Sequence, residues 1–208
     1  MDLEQLYEDT RALFPDSDRP ELQYVDRNWI FPHHIDVMLD ICDDLLNRYD
    51  GDEYVCKASI ILHDVGLVYK RDAASPEGHE SRSVEYAEKM LTGHIDDAKL
   101  QKILDCIAAT DERPEDPTQN QRIVRTCDGF AKYKTVHYLA KSHFAFEFDE
   151  HMDWMERKAD SDYQKIEFDE YHAKVEPIRE WIKSTVTVYK EHLESWFYWK
   201  RGNHLLIY

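Results

Sequence analysis

Helix breakers are scarce along this chain: 208 residues hold 6 glycines and 7 prolines. Between them, apolar residues recur at three- and four-residue intervals, and no stretch of useful length alternates apolar with polar. A period of 3.6 without a period of 2 leaves helices that bury one stripe against each other. The expected fold is therefore all-α, a single-domain helical bundle over residues 1–208. A chain of this length buries about 70% of its unfolded surface, so a core forms without disulfide or metal staples.

Local signals divide the bundle. Residues 2–14 read as a short amphipathic helix ended near Pro15. Residues 16–32 read as irregular and aromatic, with Tyr24, Trp29 and Phe31 between Pro20 and Pro32. From His34, the set Val37, Met38, Ile41, Cys42, Leu45 and Leu46 keeps helical spacing up to a stop at Asp50-Gly51. The next helix, about 52–63, is apolar nearly all round and should be the most buried. A loop over 65–78 follows, then helices at about 79–92, 96–109, 119–140, 143–159 and 169–197. Pro177 should kink the last of these or mark its first turn. Cys42, Cys56, Cys106 and Cys127 form no C-x-x-C pair and fall in apolar-periodic stretches, as buried thiols of a reducing compartment do.

The net charge of −17 disfavours a broad nucleic-acid surface and anionic membranes, where affinity comes from Lys and Arg. Residues 1–64 hold 16 acidic and 5 basic side chains. An anionic ligand must therefore draw its positive partners from later in the chain, or from a metal. Met1-Asp2-Leu3-Glu4-Gln5 has neither the basic nor the apolar region of a signal peptide. No apolar run approaches the ~20 residues of a membrane span. The expected location is cytoplasmic.

Four places carry chemistry. His34 opens the first core helix, His63-Asp64 ends the most apolar helix, His79 opens the next, and Asp128 lies late in the helix of Ile123, Val124, Cys127 and Phe130. Each has a local explanation, as a cap or an exposed helix end. His63-Asp64 resists it: a carboxylate straight after Ser59-Ile60-Ile61-Leu62 lies at the mouth of the core, where it needs a counter-charge or a metal. Imidazole with carboxylate suits a hard to borderline divalent cation, such as Mn²⁺, Fe²⁺, Zn²⁺ or Ni²⁺.

His34, His63-Asp64 and Asp128 together form an H…HD…D pattern that resembles the signature of the HD-domain superfamily of metal-dependent phosphohydrolases. The resemblance covers about residues 30–135. HHIDVMLDICDDLLNRYDGDEYVCKASIILHDVGL is similar to that family's first two core helices. GHESRSVEYAEKML resembles the helix after the HD pair, including a small residue at Ser83. KILDCIAATDERPEDPTQNQRIVRTCDGFAKY resembles the stretch that delivers the last Asp, with an Arg-Pro loop. Family spacing and the following Ile-x-x-Met favour His34 over His33 as the first ligand.

The resemblance implies an HD-type core over 30–140 and a C-terminal helical extension over 141–208. It implies one divalent metal ion (Mn, Fe, Ni, Co, Zn or Mg) on His34, His63, Asp64 and Asp128. It also implies hydrolysis of a phosphate ester of a small nucleotide or related metabolite by a metal-activated water. Asp64 would accept a proton from that water, and His79 would contact phosphate or donate a proton. Arg82, one turn from His79, Lys132, one turn beyond Asp128, and Lys70 with Arg71 in the loop after the pair are candidate substrate-binding residues. Lys158, Asp162, Tyr163 and Lys165 resemble a helix that covers the site in some single-domain members.

One position departs from the pattern. Members holding two metals carry a His where this chain has Thr110. That favours a single ion and weighs against the main enzymatic alternative, a di-iron oxygenase of the HD fold, for which Asp111 is the nearest replacement ligand. A non-catalytic, nucleotide-binding regulatory HD domain is the other alternative, and the complete ligand set argues against it. The aromatic end, from Trp196-Phe197-Tyr198-Trp199 to Tyr208, reads as packed core or as a contact in a homo-oligomer.

Overall fold

The computed structural model describes residues 1–15, 27–68, 78–135, 137–140 and 148–193. Among them every regular element is helical, and the only extended pairing is an isolated bridge between Thr92 and Ile95. The chain runs through α1 (Leu3–Leu13) to α2 (Arg27–Ile30), which passes through a π-helical turn (Phe31–Ile35) into α3 (Asp36–Leu46). Then come α4 (Glu53–Leu62), a 3₁₀ turn (Val65–Leu67), α5 (His79–Leu91), α6 (Asp97–Ala108) and α7 (Gln119–Lys134). The last are α8 (His137–Ala140), α9 (Phe148–Gln164) and α10 (Asp169–Leu193).

Short polar side chains start these helices by accepting from backbone amides that have no partner inside the helix. Asp2 accepts from Gln5, Asp52 from Val55 and Asp96 from Lys99, while Thr118 and Gln121 form a reciprocal capping box. The apolar faces so aligned form one core, and the four cysteines lie in it as buried, unbridged thiols. No helix among the described residues is long and apolar enough to cross a membrane.

Several expectations need correction. Residues 27–32 are not irregular: they are helical, with Pro32 inside the π segment that continues α2. The helix expected over 119–140 stops at Lys134, because Thr135 turns extended (φ −117°, ψ 177°) and α8 starts anew. α9 continues to Gln164, past the expected end at 159. Pro177 lies well inside α10, not in its first turn. The carbonyl it cannot bond belongs to Ala173, and both residues are exposed.

The most enclosed helix is α7 rather than α4. Every residue from Ile123 to Tyr133 is buried. α3, α4 and α6 pack on one side of it and α9 and α10 on another, so its polar face turns inward as well. Lys70 and Arg71, and the aromatic end after Leu193, lie outside the described residues.

Candidate metal centre

His34 stands in the π turn, where the wider i→i+5 spacing (Asp36 N–H to Phe31 carbonyl) rotates it while Phe31 and Ile35 stay buried. His63 caps the C-terminus of α4. Asp64 follows in a bridging conformation (φ −104°, ψ 2°) that starts the 3₁₀ turn. This change of direction lets two consecutive side chains face one cavity. Asp128, 2% exposed, comes from the middle of α7.

The four groups converge. His34 Nε2 lies 3.2 Å from His63 Nε2, 3.5 Å from Asp64 Oδ2 and 3.3 Å from Asp128 Oδ1. His63 Nε2 lies 3.3 Å from Asp64 Oδ2 and 3.9 Å from Asp128 Oδ1. Donors about 2.1 Å from a tetrahedral centre stand roughly 3.4 Å apart, so this spacing fits one ion. Tautomer chemistry fits as well. His63 Nδ1 sits 2.8 Å from the Ile60 carbonyl and can only donate there, which leaves the Nε2 lone pair facing the cavity. His34, His63 and Asp128 by themselves form a group whose ligand atoms all lie within 4.8 Å of one another.

The field of the site keeps both carboxylates ionised. Burial alone would raise Asp64, but His63 and His79 hold it well below the usual carboxylate range. Burial likewise opposes Asp128, and Lys132 and Lys165 outweigh it. Burial pushes His34 down, whereas at His63 the neighbouring carboxylates overcome burial and raise the imidazole.

His79 is the second layer of the site. Its Nε2 lies 3.2 Å from Asp64 Oδ1 and its Nδ1 3.1 Å from Glu80 Oε2. The approach of α5 is set by Gly66, where a Cβ would lie 2.0 Å from the His79 carbonyl oxygen. Gly66 N–H donates to Ser83 Oγ (2.8 Å), and Arg82 Nε donates to the Gly66 carbonyl (3.0 Å). Arg82 thus braces the backbone under His79, and it is not among the side chains lining the cavity.

That cavity, of about 100 Å³, is lined by His34, His63, Asp64 and Asp128, by His79, Glu80 and Thr110, and by Lys132, Lys158 and Lys165. Trp29 and His33, their rings tilted at 39° with centroids 4.5 Å apart, line another part of it with Thr135 and His137. Thr110 is buried, with its hydroxyl donating to the Ile107 carbonyl (2.8 Å), whereas Asp111 is exposed.

Sequence reasoning therefore brought His34, His63, Asp64, His79, Asp128 and Lys132 to one place. It missed Glu80, whose only signal was adjacency to His79, and His137, which follows a helix break that periodicity did not show. Comparison with protein-family models, with curated proteins and with solved structures finds no match for this chain.

Proposed function

We propose that this chain hydrolyses a phosphate ester of a small nucleotide or related metabolite with the aid of one divalent cation, on a core of HD-domain type over residues 30–140. The observation that carries the reading is the convergence of His34, His63, Asp64 and Asp128, from three separate stretches of chain, in a cavity also lined by lysines. Two imidazoles and two carboxylates would hold Mn²⁺, Fe²⁺, Ni²⁺, Co²⁺, Zn²⁺ or Mg²⁺. Once bound, such an ion lowers the pKa of a water and polarises a P–O bond.

The chain's own residues do the rest. Asp64 divides its oxygens: Oδ2 faces the two imidazoles, and Oδ1 faces His79 Nε2. A proton accepted at Oδ1 is therefore one hydrogen bond away from His79. Glu80 at Nδ1 stabilises the imidazolium, and His79 can pass a proton to the leaving oxygen. Lys132 faces the same cavity as a positive partner for phosphate, and Arg82 serves the site through the backbone that carries His79. Thr110 spends its hydroxyl on Ile107 and Asp111 is exposed, which favours a one-ion hydrolase over a di-iron oxygenase.

Metal analysis, followed by a screen of phosphorylated metabolites with added Mn²⁺, Ni²⁺, Co²⁺ and Mg²⁺, tests the proposal. The expected result is one ion per chain and metal-dependent phosphate release, with Asp64→Ala folded but inactive. Two irons per chain with oxygen uptake, or full phosphatase activity in Asp64→Ala, would overturn it.

A further inference from the structure

α9 lies unusually close to α7. A Cβ on Gly129 would stand 2.4 Å from the Asp162 carbonyl oxygen, so only glycine allows the approach. The approach carries Lys158 of α9, and Lys165 in the turn just past its end, into the cavity beside Lys132 of α7.

Between them lies Asp162, whose side chain is 0% exposed. Its Oδ1 pairs with Lys158 and, at 3.5 Å, with Lys132, while Tyr138 donates to its Oδ2 at 2.9 Å. The two oxygens of Asp128 take Lys132 and Lys165 at 2.6 Å each. Three ammonium groups thus share two carboxylates. If Asp128 is a cation ligand, its charge counts toward the ion, and among the described residues Asp162 is the carboxylate left beside the three ammonium groups. The excess is two positive charges, which matches a phosphate dianion and overshoots the single charge of a diester. Burial and the Lys132 ammonium push Lys158 down to about 8, the direction expected where positive charge is crowded.

We infer that Lys132, Lys158 and Lys165 form the subsite for the terminal dianionic phosphate of a monoester, with buried Asp162 as the positioning residue that aims Lys132 and Lys158 into the cavity. The inference rests on the phosphohydrolase reading and narrows its substrate class to phosphomonoesters.

Calorimetric titration of the purified protein at about pH 7.5 tests it, with inorganic phosphate, mostly dianionic there, and dimethyl phosphate, a monoanion, as probes. The metal content of each sample is measured alongside. Phosphate should bind at least about tenfold tighter than dimethyl phosphate. Lys158→Gln, which keeps a donor toward Asp162, should weaken phosphate about tenfold at unchanged metal content, and Lys158→Arg should recover most of the loss. Asp162→Asn should weaken phosphate as well, since Lys132 and Lys158 lose their anchor. Should Lys158→Gln not fold, Lys165→Gln carries the same expectation for phosphate. Wild-type protein that carries no metal, yet binds phosphate and binds it about tenfold more weakly in Lys158→Gln, would sink the cation reading and leave the lysine subsite standing. Equal affinity for the two probes, no phosphate binding, or wild-type phosphate affinity in the lysine variants would overturn the inference.

Discussion

Among His34, His63, Asp64 and Asp128, it is Asp64 that His79 is hydrogen-bonded to, and that position separates its role from theirs. Its imidazole lies between two carboxylate oxygens, Asp64 Oδ1 at 3.2 Å and Glu80 Oε2 at 3.1 Å, an arrangement suited to holding and passing a proton. His79→Gln should therefore lower turnover by about 10²–10⁴ while the protein still binds one cation. Turnover and metal content measured on the same sample decide this: loss of the ion together with activity would make His79 a ligand and return the di-iron alternative. Arg82 and Lys132 show how far single residues can be read from helix geometry. Each sits one turn from a candidate site residue, and the spacing treats them alike. Lys132 turns inward because α9 covers its face of α7, whereas Arg82 is drawn to the Gly66 carbonyl, which a close turn has placed beside it.

Among the elements, the pairing of α7 with α9 carries the most consequence. In Gly129→Ala the new Cβ would meet the Asp162 carbonyl at 2.4 Å and Lys165 Cβ at 2.9 Å, so the helices must part. The expected cost is about 1–3 kcal/mol, seen as a lowered melting temperature and weaker phosphate binding, since Lys158 and Lys165 move with α9. A second clamp holds the α9–α10 connection to α7. Glu167 pairs with Arg113 at 2.8 Å and Arg125 at 3.0 Å, and its N–H donates to Thr126 Oγ (3.0 Å). Burial would raise the Glu167 carboxyl, but the two guanidinium groups outweigh it and hold it below its ordinary value. With the folded value depressed, the clamp's stability is fully present above the unfolded value of about 4.3, and is lost as pH falls through the folded one. Glu167→Gln should be less stable than wild type by about 1–2 kcal/mol at pH near 7. Urea titrations should show that gap closing once the pH drops below about 4. A gap that persists in acid would mean that packing, not charge, carries Glu167.

For the whole molecule, a net charge of −17 sets the background. The folded chain repels itself, and its acidic surplus gives it a field that attracts cations. Ligand binding to the folded state alone stabilises it by about 2.7 kcal/mol at a hundredfold excess over Kd. For a domain of this size that corresponds to a rise in melting temperature of about 5–10 °C. Adding a tightly bound divalent cation should produce this rise, a chelator should reverse it, and Asp128→Asn should abolish it. An equal rise in Asp128→Asn would mean that the ion binds elsewhere on the acidic surface.

Chain-local physics determined much of this protein from sequence alone. Helix period, caps and breakers act over a few residues, and so the all-helical class, the starts of α4, α5, α6 and α7, and the burial of the four cysteines were legible without coordinates. His63-Asp64 also stood out locally, as a polar pair straight after an apolar run, and the resemblance to the HD-domain signature joined His34, His79 and Asp128 to it. The π turn at Phe31–Ile35 was not legible: one extra residue per turn depends on what packs around it. Nor was the full burial of α7, since helix period alone does not show that α9 and α10, later in the chain, cover the face of Arg125, Thr126 and Lys132. Periodicity says which face of a helix is apolar, whereas only the tertiary structure decides whether a second layer closes over the polar one. That closure brings Lys158, Asp162 and Lys165 to the cavity that His34, His63 and Asp64 line from the other end of the chain.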